Sequence, residues 1–298
     1  MNKTYILQGE LIENVSLADF TTWRVGGNAK ILYKPFDVQD LSNFIKKLPE
    51  SENIHWLGLG SNTLFRDKGF NGIVILTQGC LKKIELLPDN IVHAESGVSC
   101  STMARFCARN NLGKAEFWAG IPGTIGGALR MNAGCYDGET WNNVISVETM
   151  KRDGKINQRL PSSFDISYRS VLGLEKDEWF ISAKFKLPPG NKEKSLETIK
   201  NLLARRAKTQ PTNEYNCGSV FRNPKGNYAA ALIEQCGLKG FRIGSAVVSL
   251  KHANFIINEN GTASAKDIES LINFIQSTVM KKNNISLLRE IHIIGEAE

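Results

Sequence analysis

The chain has 298 residues, 42% hydrophobic and 22% charged, a balance that excludes disordered and fibrous classes and leaves ample material to bury the cores of two or three domains. The net charge of +7 comes from Lys and Arg spread along the chain without a basic block or a nucleic-acid module, so an anionic small molecule accounts for it as well as a polynucleotide would. No apolar run approaches the ~18 residues that span a bilayer, and Glu10 and Glu13 stand where a secretory leader would be apolar. The expectation is a cytoplasmic protein with no membrane insertion and no nucleic-acid partner. Six cysteines occur without a Cys-x-x-Cys pair, and four scattered histidines offer no metal-ligand spacing, so free thiols and no metal are expected.

In chain order, the first feature is the cluster Thr21-Thr22-Trp23-Arg24-Val25-Gly26-Gly27-Asn28-Ala29, which precedes a strand-like run. Val38, Leu41, Phe44, Ile45 and Leu48 then recur at helical spacing, which predicts an amphipathic helix over 37–48 stopped by Pro49. A short strand over 54–57 leads into a second cluster, Gly58-Leu59-Gly60-Ser61-Asn62, which starts like a dinucleotide-binding turn but carries Thr63 at the sixth position. Strands follow at 73–76 and 91–94. Ser99 caps a helix with Met103, Phe106 and Cys107 on one face.

The richest stretch is Gly120-Ile121-Pro122-Gly123-Thr124-Ile125-Gly126-Gly127-Ala128, closing with Asn132-Ala133-Gly134. Glycines lack the Cβ that would hold a phosphorylated ligand off the backbone, and successive N–H groups of such turns make anion sites, especially where a helix opens. No Gly-Lys-Ser/Thr follows, so this is not a Walker loop. Singly, each cluster is an ordinary turn; three in one half of the chain point to a diphosphate bound outside the common nucleotide folds.

Further strands are predicted at 144–150 and 179–187. The latter ends at Pro188-Pro189-Gly190, read as a linker. Beyond it, helices at 196–208 and 267–280 and strands at 254–257 and 290–294 make a compact α+β module, with Ile268, Leu271, Ile272, Ile275 and Val279 on the inner helix face.

Three polar residues ask for a reason. Arg169, in Ser167-Tyr168-Arg169-Ser170, could grip a carboxylate through two parallel bonds or simply be a solvated surface arginine. Ser219, between Gly218 and Val220-Phe221, suits a hydroxyl on a site wall but also an ordinary turn. Glu290, opening a strand, reads by itself as surface.

These pieces together match, in order and spacing, the UDP-N-acetylenolpyruvoylglucosamine reductase family, and the chain resembles its shorter, type II form. The matching segments are Thr22-Trp23-Arg24-Val25-Gly26-Gly27, Gly58-Leu59-Gly60-Ser61-Asn62, residues 120–134, Tyr168-Arg169-Ser170, Gln210-Pro211, Gly218-Ser219-Val220-Phe221-Arg222-Asn223-Pro224, and Leu287-Leu288-Arg289-Glu290 running into Ile294-Gly295. They extend from about residue 20 to 295. The resemblance implies an α+β fold: a vanillyl-alcohol-oxidase-type FAD-binding unit of two subdomains, 1–80 and 81–190, followed by a substrate-binding domain over 191–298 whose last strand, near 288–298, returns to the first subdomain.

It further implies a monomeric flavoprotein that takes hydride from NADPH and reduces the enolpyruvyl ether of UDP-N-acetylglucosamine, giving UDP-N-acetylmuramate for peptidoglycan synthesis. Gly58, Gly60, Ser61, Asn62, Gly123, Thr124, Gly126, Gly127, Asn132 and Gly134 match the positions that surround FAD. Arg169 and Glu290 match the pair that stabilises the enolate-like carboxylate, Glu290 being protonated or bridged to a cation to avoid repulsion. Ser219 matches the proton donor, and Tyr168 and Asn223 match substrate contacts. Lys208, Arg242, Lys251 and His252 are cationic or polar candidates for the diphosphate. Arg222 departs from the pattern, standing where lysine is frequent, as does Phe241 ahead of Arg242. An FAD-dependent alcohol or hydroxy-acid oxidase of the same superfamily would share the glycine loops but lack the serine, arginine and glutamate set. A nucleotide-binding module without catalysis would be colourless.

Overall fold

The computed structural model describes residues 7–296, so residues 1–6 and 297–298 of the predicted first and last domains lie outside the described residues. The described chain forms two compact units, one from residues 7–13, 31–58 and 72–204, the other from 14–30, 59–71 and 205–296.

The first unit has two apolar clusters. One lies against α1 (Val38–Ile45), where Leu41, Phe44 and Ile45 pack on Tyr33, Ile73, Ile75, Met150 and Ile181. Asp37 caps this helix through its side chain, 2.7 Å from the Asp40 amide. The predicted extension to 48 is a tightened end: Lys47 and Leu48 donate to the carbonyls three residues back, because Pro49 disfavours helical backbone at the residue before it. Strand Ile54–Leu57 pairs in parallel with Ile73–Leu76, at one edge of a four-stranded sheet ordered Glu10–Ser16, Asn28–Lys34, Phe70–Leu76, Ile54–Leu57.

The other cluster joins a five-stranded sheet to two helices. Its order is Ile156–Arg159, Val144–Lys151, Glu178–Lys186, Ile91–Glu95, Ile84–Leu87, antiparallel throughout. Along Ile91–Glu95 the residues alternate, with Val92 and Ala94 buried and His93 facing Glu85 and Glu148 on the other side, as strand periodicity requires. Met103 and Cys107 of α2 (Cys100–Arg109) and Ala128 and Leu129 of α3 (Ile125–Arg130) fill the inner face with Trp118 and Phe185. Ser99 caps α2 at 3.0 Å from the Thr102 amide. The 188–190 segment is bonded to its surroundings, Gly113 donating to the Pro188 carbonyl and Gly190 to that of Asn111. The division between compact units falls further on, inside α4 (Lys192–Thr209), at Ala204/Arg205.

The second unit is organised by α6 (Ala265–Asn283). A capping box between Ser264 and Asp267 starts it, and Asn284, at φ +56°, ends it. All five residues of the predicted inner face are buried, packed with Leu232 and Ile233 of α5 (Ala229–Gln235), with Ala246, Val248 and Ile256 from a three-stranded sheet, and with Trp23. Trp23 is fully buried, donating its indole N–H to the Ile256 carbonyl at 2.8 Å. Strand His292–Ile294 pairs in parallel with Thr63–Phe65.

Candidate functional site

Thr124 is the N-cap residue of α3, and the chain around it is held tightly from behind. The Ile125 and Gly126 amides donate to the carbonyls of Val98 and Ser96, at 2.8 Å each, and the Gly123 carbonyl accepts from Cys100 N–H. Two of the successive amides expected to face an anion are therefore engaged by the protein. What the loop offers instead is a buried hydroxyl: Thr124 is 2% exposed and its Oγ1 has no hydrogen-bond partner among the described residues. A Cβ on Gly58 would come within 2.5 Å of that oxygen, whereas one on Gly127 would meet nothing nearer than 3.9 Å. Ser96 Oγ, behind Gly126, is likewise buried without a partner among the described residues. Orphaned buried hydroxyls are costly unless something completes them. Beside glycines that leave a face open, this donor set fits a phosphorylated cofactor.

Tyr168 and Arg169 form the two-residue connection of a hairpin between strands Asp165–Ser167 and Ser170–Leu172. Arg169 takes φ +55°, a left-handed conformation that costs a non-glycine residue roughly 1 kcal/mol. Its guanidinium is half-buried, donating at 2.8 Å to the Gly134 carbonyl and at 3.5 Å to that of Asn132. Tyr168 is exposed, its ring centroid 5.3 Å from the guanidinium carbon. Asn132, Gly134, Tyr168 and Arg169 are thus gathered in one place.

In the second unit, Gly60, Ser61, Asn62, Ser219 and Glu290 form the other group. The Glu290 amide donates to the Val220 carbonyl at 2.8 Å, and Arg222 N–H to that of Leu288 at 2.9 Å, laying Ser219 and Glu290 on neighbouring extended segments. Asn62 ties in a third, its Nδ2 donating to the Glu290 carbonyl at 3.1 Å and its own carbonyl accepting from His292 N–H at 2.9 Å. Glu290 lies just ahead of the strand it was expected to open, which begins at His292. Gly218, at φ +72°, has open space where a side chain would project, and Ser219 beside it is half-buried. Cys217 is buried against the carbonyls of Gly60 and Thr63, and burial pushes its thiol up to about 12, so it stays neutral and Ser219 is the hydroxyl presented here.

Asn223 is exposed, and its Oδ1 accepts from the first amide of α5 at 3.0 Å. Two basic candidates are committed elsewhere. Arg242 makes a paired contact with Glu259, and Lys251 donates to the Ala207 carbonyl near the end of α4. His252 accepts from Asn254 N–H through Nδ1, and burial holds it below the ordinary histidine range. Sequence reasoning missed Ser96 and Glu139, whose spacing carries no motif; only the fold sets them beside Gly126 and Asn132.

A family model described as "FAD binding domain" matches residues 29–158, and one described as "UDP-N-acetylenolpyruvoylglucosamine reductase, C-terminal domain" matches 210–294. The chain is 64% identical over 290 residues to the UDP-N-acetylenolpyruvoylglucosamine reductase of Legionella pneumophila (strain Paris), covering 97% of this chain and 95% of that protein. To the reductase of that name from Alkalilimnicola ehrlichii it is 49% identical, covering 98% and 97%. The crystal structure of the corresponding Thermus caldophilus reductase superposes with a TM-score of 0.81 at 31% identity, over 97% of this chain and 99% of that one. In fold alone, the chain is also similar to 6-hydroxy-D-nicotine oxidase from Arthrobacter nicotinovorans, with a TM-score of 0.58 at 11% identity, over 97% and 90%. The architecture is the α+β, vanillyl-alcohol-oxidase-type FAD-binding fold followed by a C-terminal α+β module.

Proposed function

The chain belongs to the UDP-N-acetylenolpyruvoylglucosamine reductase family, and from that premise we propose that it reduces the enolpyruvyl ether of UDP-N-acetylglucosamine with NADPH, giving UDP-N-acetylmuramate. It is an FAD-dependent oxidoreductase. When bound, the flavin would supply the hydride chemistry, two electrons and a proton, between NADPH and the vinyl ether. Gly58, Gly60, Ser61, Asn62, Gly123, Thr124, Gly126, Gly127, Asn132 and Gly134 would surround that cofactor, Thr124 Oγ1 offering it a hydrogen bond and Asn132, whose side chain is engaged by Glu139, Ser167 and Trp141, offering only its backbone.

The rest is done by side chains. Addition of hydride to one vinyl carbon leaves negative charge spread from the neighbouring carbon into the substrate carboxylate. Arg169 binds that carboxylate and, with Glu290, stabilises its enolic form. Ser219 gives its Oγ proton to the second carbon, completing saturation, and regains a proton from solvent. Tyr168 and the Asn223 amide contact the nucleotide. The observation that carries this reading is the Glu290–Val220 backbone bond, which brings the acid and the serine, remote in sequence, onto adjacent segments.

We further take residues 1–80 and 81–190 as the two cofactor-binding subdomains, 191–298 as the substrate domain, and the protein as a type II, cytoplasmic monomer supplying peptidoglycan precursors. Among the described residues no helix is long and apolar enough to cross a membrane. The test is to mix purified yellow protein with NADPH and the enolpyruvyl nucleotide. With catalytic amounts of enzyme, absorbance near 340 nm should go on falling beyond the one equivalent that reduces the flavin only when the nucleotide is present; sustained NADPH loss indifferent to the nucleotide overturns the assignment.

A further inference from the structure

Asn132 stands among the glycines expected to surround the cofactor, yet its side chain is wholly occupied within the protein. It is 2% exposed, at φ +44°. Its Nδ2 donates to Glu139 Oε2 at 2.9 Å and to the Ser167 carbonyl at 3.3 Å, while its Oδ1 accepts from Trp141 N–H at 3.2 Å. With a carboxylate and a carbonyl on one side and a donor on the other, only this orientation of the amide satisfies all three neighbours. Ser167 is the last residue before the Tyr168-Arg169 connection. Asn132 therefore grips the base of the hairpin with its side chain, while its own carbonyl and that of Gly134 receive the Arg169 guanidinium. Glu139 faces Gly134 across a two-residue ladder, so one short element fixes both the carboxylate that orients Asn132 and the carbonyl that receives Arg169.

We propose that Glu139 and Asn132 are positioning residues for Arg169: they hold the strained hairpin connection so that its guanidinium points where the substrate carboxylate is bound. The role of Arg169 toward that carboxylate rests on the function proposed above. Arg169 has several rotatable bonds and a left-handed backbone that relaxes readily once its neighbours let go. The clamp removes that freedom before substrate arrives, and misplacement of a binding group by about 1 Å can cost up to 10²-fold.

Three substitutions separate reach from charge. Glu139→Gln keeps an oxygen at the right distance to accept from Asn132; Glu139→Asp keeps the charge but is one methylene too short; Glu139→Ala removes both. In stopped-flow experiments on the FAD-loaded enzyme, Glu139→Asp and Glu139→Ala should each slow reoxidation of the reduced enzyme by the enolpyruvyl nucleotide by about 10- to 100-fold. Reduction by NADPH and the FAD dissociation constant should stay within about twofold, and Glu139→Gln should stay within about threefold on every measure.

A Glu139→Asp protein that reoxidises at the parent rate overturns the proposal, as does Glu139→Ala slowing both half-reactions equally or losing FAD while the nucleotide step survives. Thermal unfolding of each apoprotein identifies a variant lost to misfolding, in which case the Gln and Asp pair decides the matter by itself. Failure of the underlying reading looks different: the parent enzyme would be reduced by NADPH and then not reoxidised by the nucleotide at all.

Discussion

Glu178 is a buried carboxylate whose side chain is 1% exposed, and each contact to it is visible. Oε2 accepts from Arg159 Nη1 at 2.7 Å and from the Glu175 amide at 2.9 Å; Oε1 accepts from Thr149 Oγ1 at 2.6 Å. Replacing it with alanine leaves Arg159, only 20% exposed, without its counter-ion, together with an unmet amide. Breaking such a pair costs about 3–5 kcal/mol, and the residual exposure of Arg159 argues for the lower end.

Glutamine is a different case. Its oxygen can take the Oε2 position and its amide can donate to Thr149 Oγ1, whose hydroxyl then turns to the Asn157 carbonyl it already approaches at 3.4 Å. All three hydrogen bonds survive although the charge is lost, so Glu178→Gln should cost less than the alanine variant, about 1–2 kcal/mol. At about 2–4 °C per kcal/mol, the alanine variant should melt roughly 6–12 °C below the parent and the glutamine variant only a few degrees below, followed by near-ultraviolet circular dichroism. Adding Arg159→Met to the alanine variant should restore part of the loss, since the cation no longer lacks a partner. Equal melting points for the alanine and glutamine variants would refute the reasoning. So would a double variant no more stable than the single one.

Ser219→Ala should leave reduction by NADPH untouched and slow reoxidation by the enolpyruvyl nucleotide about 10²–10⁴-fold in stopped-flow traces; parent-like reoxidation would remove Ser219 from the mechanism. Gly127→Ala faces open space inside a helix, so the apoprotein should gain about 0.5–1 kcal/mol while FAD titration shows weaker binding. By contrast, Gly126→Ala sets a Cβ 2.8 Å from Ser96 Cβ and should lose about 1–3 kcal/mol in the apoprotein itself, read by urea unfolding. Arg66 holds Glu269 by paired 2.8 Å hydrogen bonds, lowering its carboxyl below the usual range. The folded value being the lower one, this stabilisation is present above the unfolded value near 4.5 and is lost as the pH falls through the folded value. Glu269→Gln should therefore be less stable than the parent at pH 7 and converge with it in acid, as urea midpoints across pH 2–7 would report.

Local sequence determined a great deal of this protein. The inner face of α6 follows from its spacing of five apolar residues, and the starts of α1 and α2 from Asp37 and Ser99, because helix period and capping act within a few residues. The glycine clusters and the ordered motifs were enough to identify the family and its cofactor, since the chemistry needs those residue types in that order. Tertiary structure decided what each polar group faces. Nothing near Asn132 in sequence predicts that its amide is consumed by Glu139, Ser167 and Trp141, or that Arg242 is paired with Glu259. Nor does the sequence around Glu290 place it against Val220 and Asn62. Those pairings join residues distant along the chain, and only the packing of whole elements, driven by burial of their apolar faces, fixes which hydrogen-bonding groups meet and which, like Thr124 Oγ1, find no partner among the described residues.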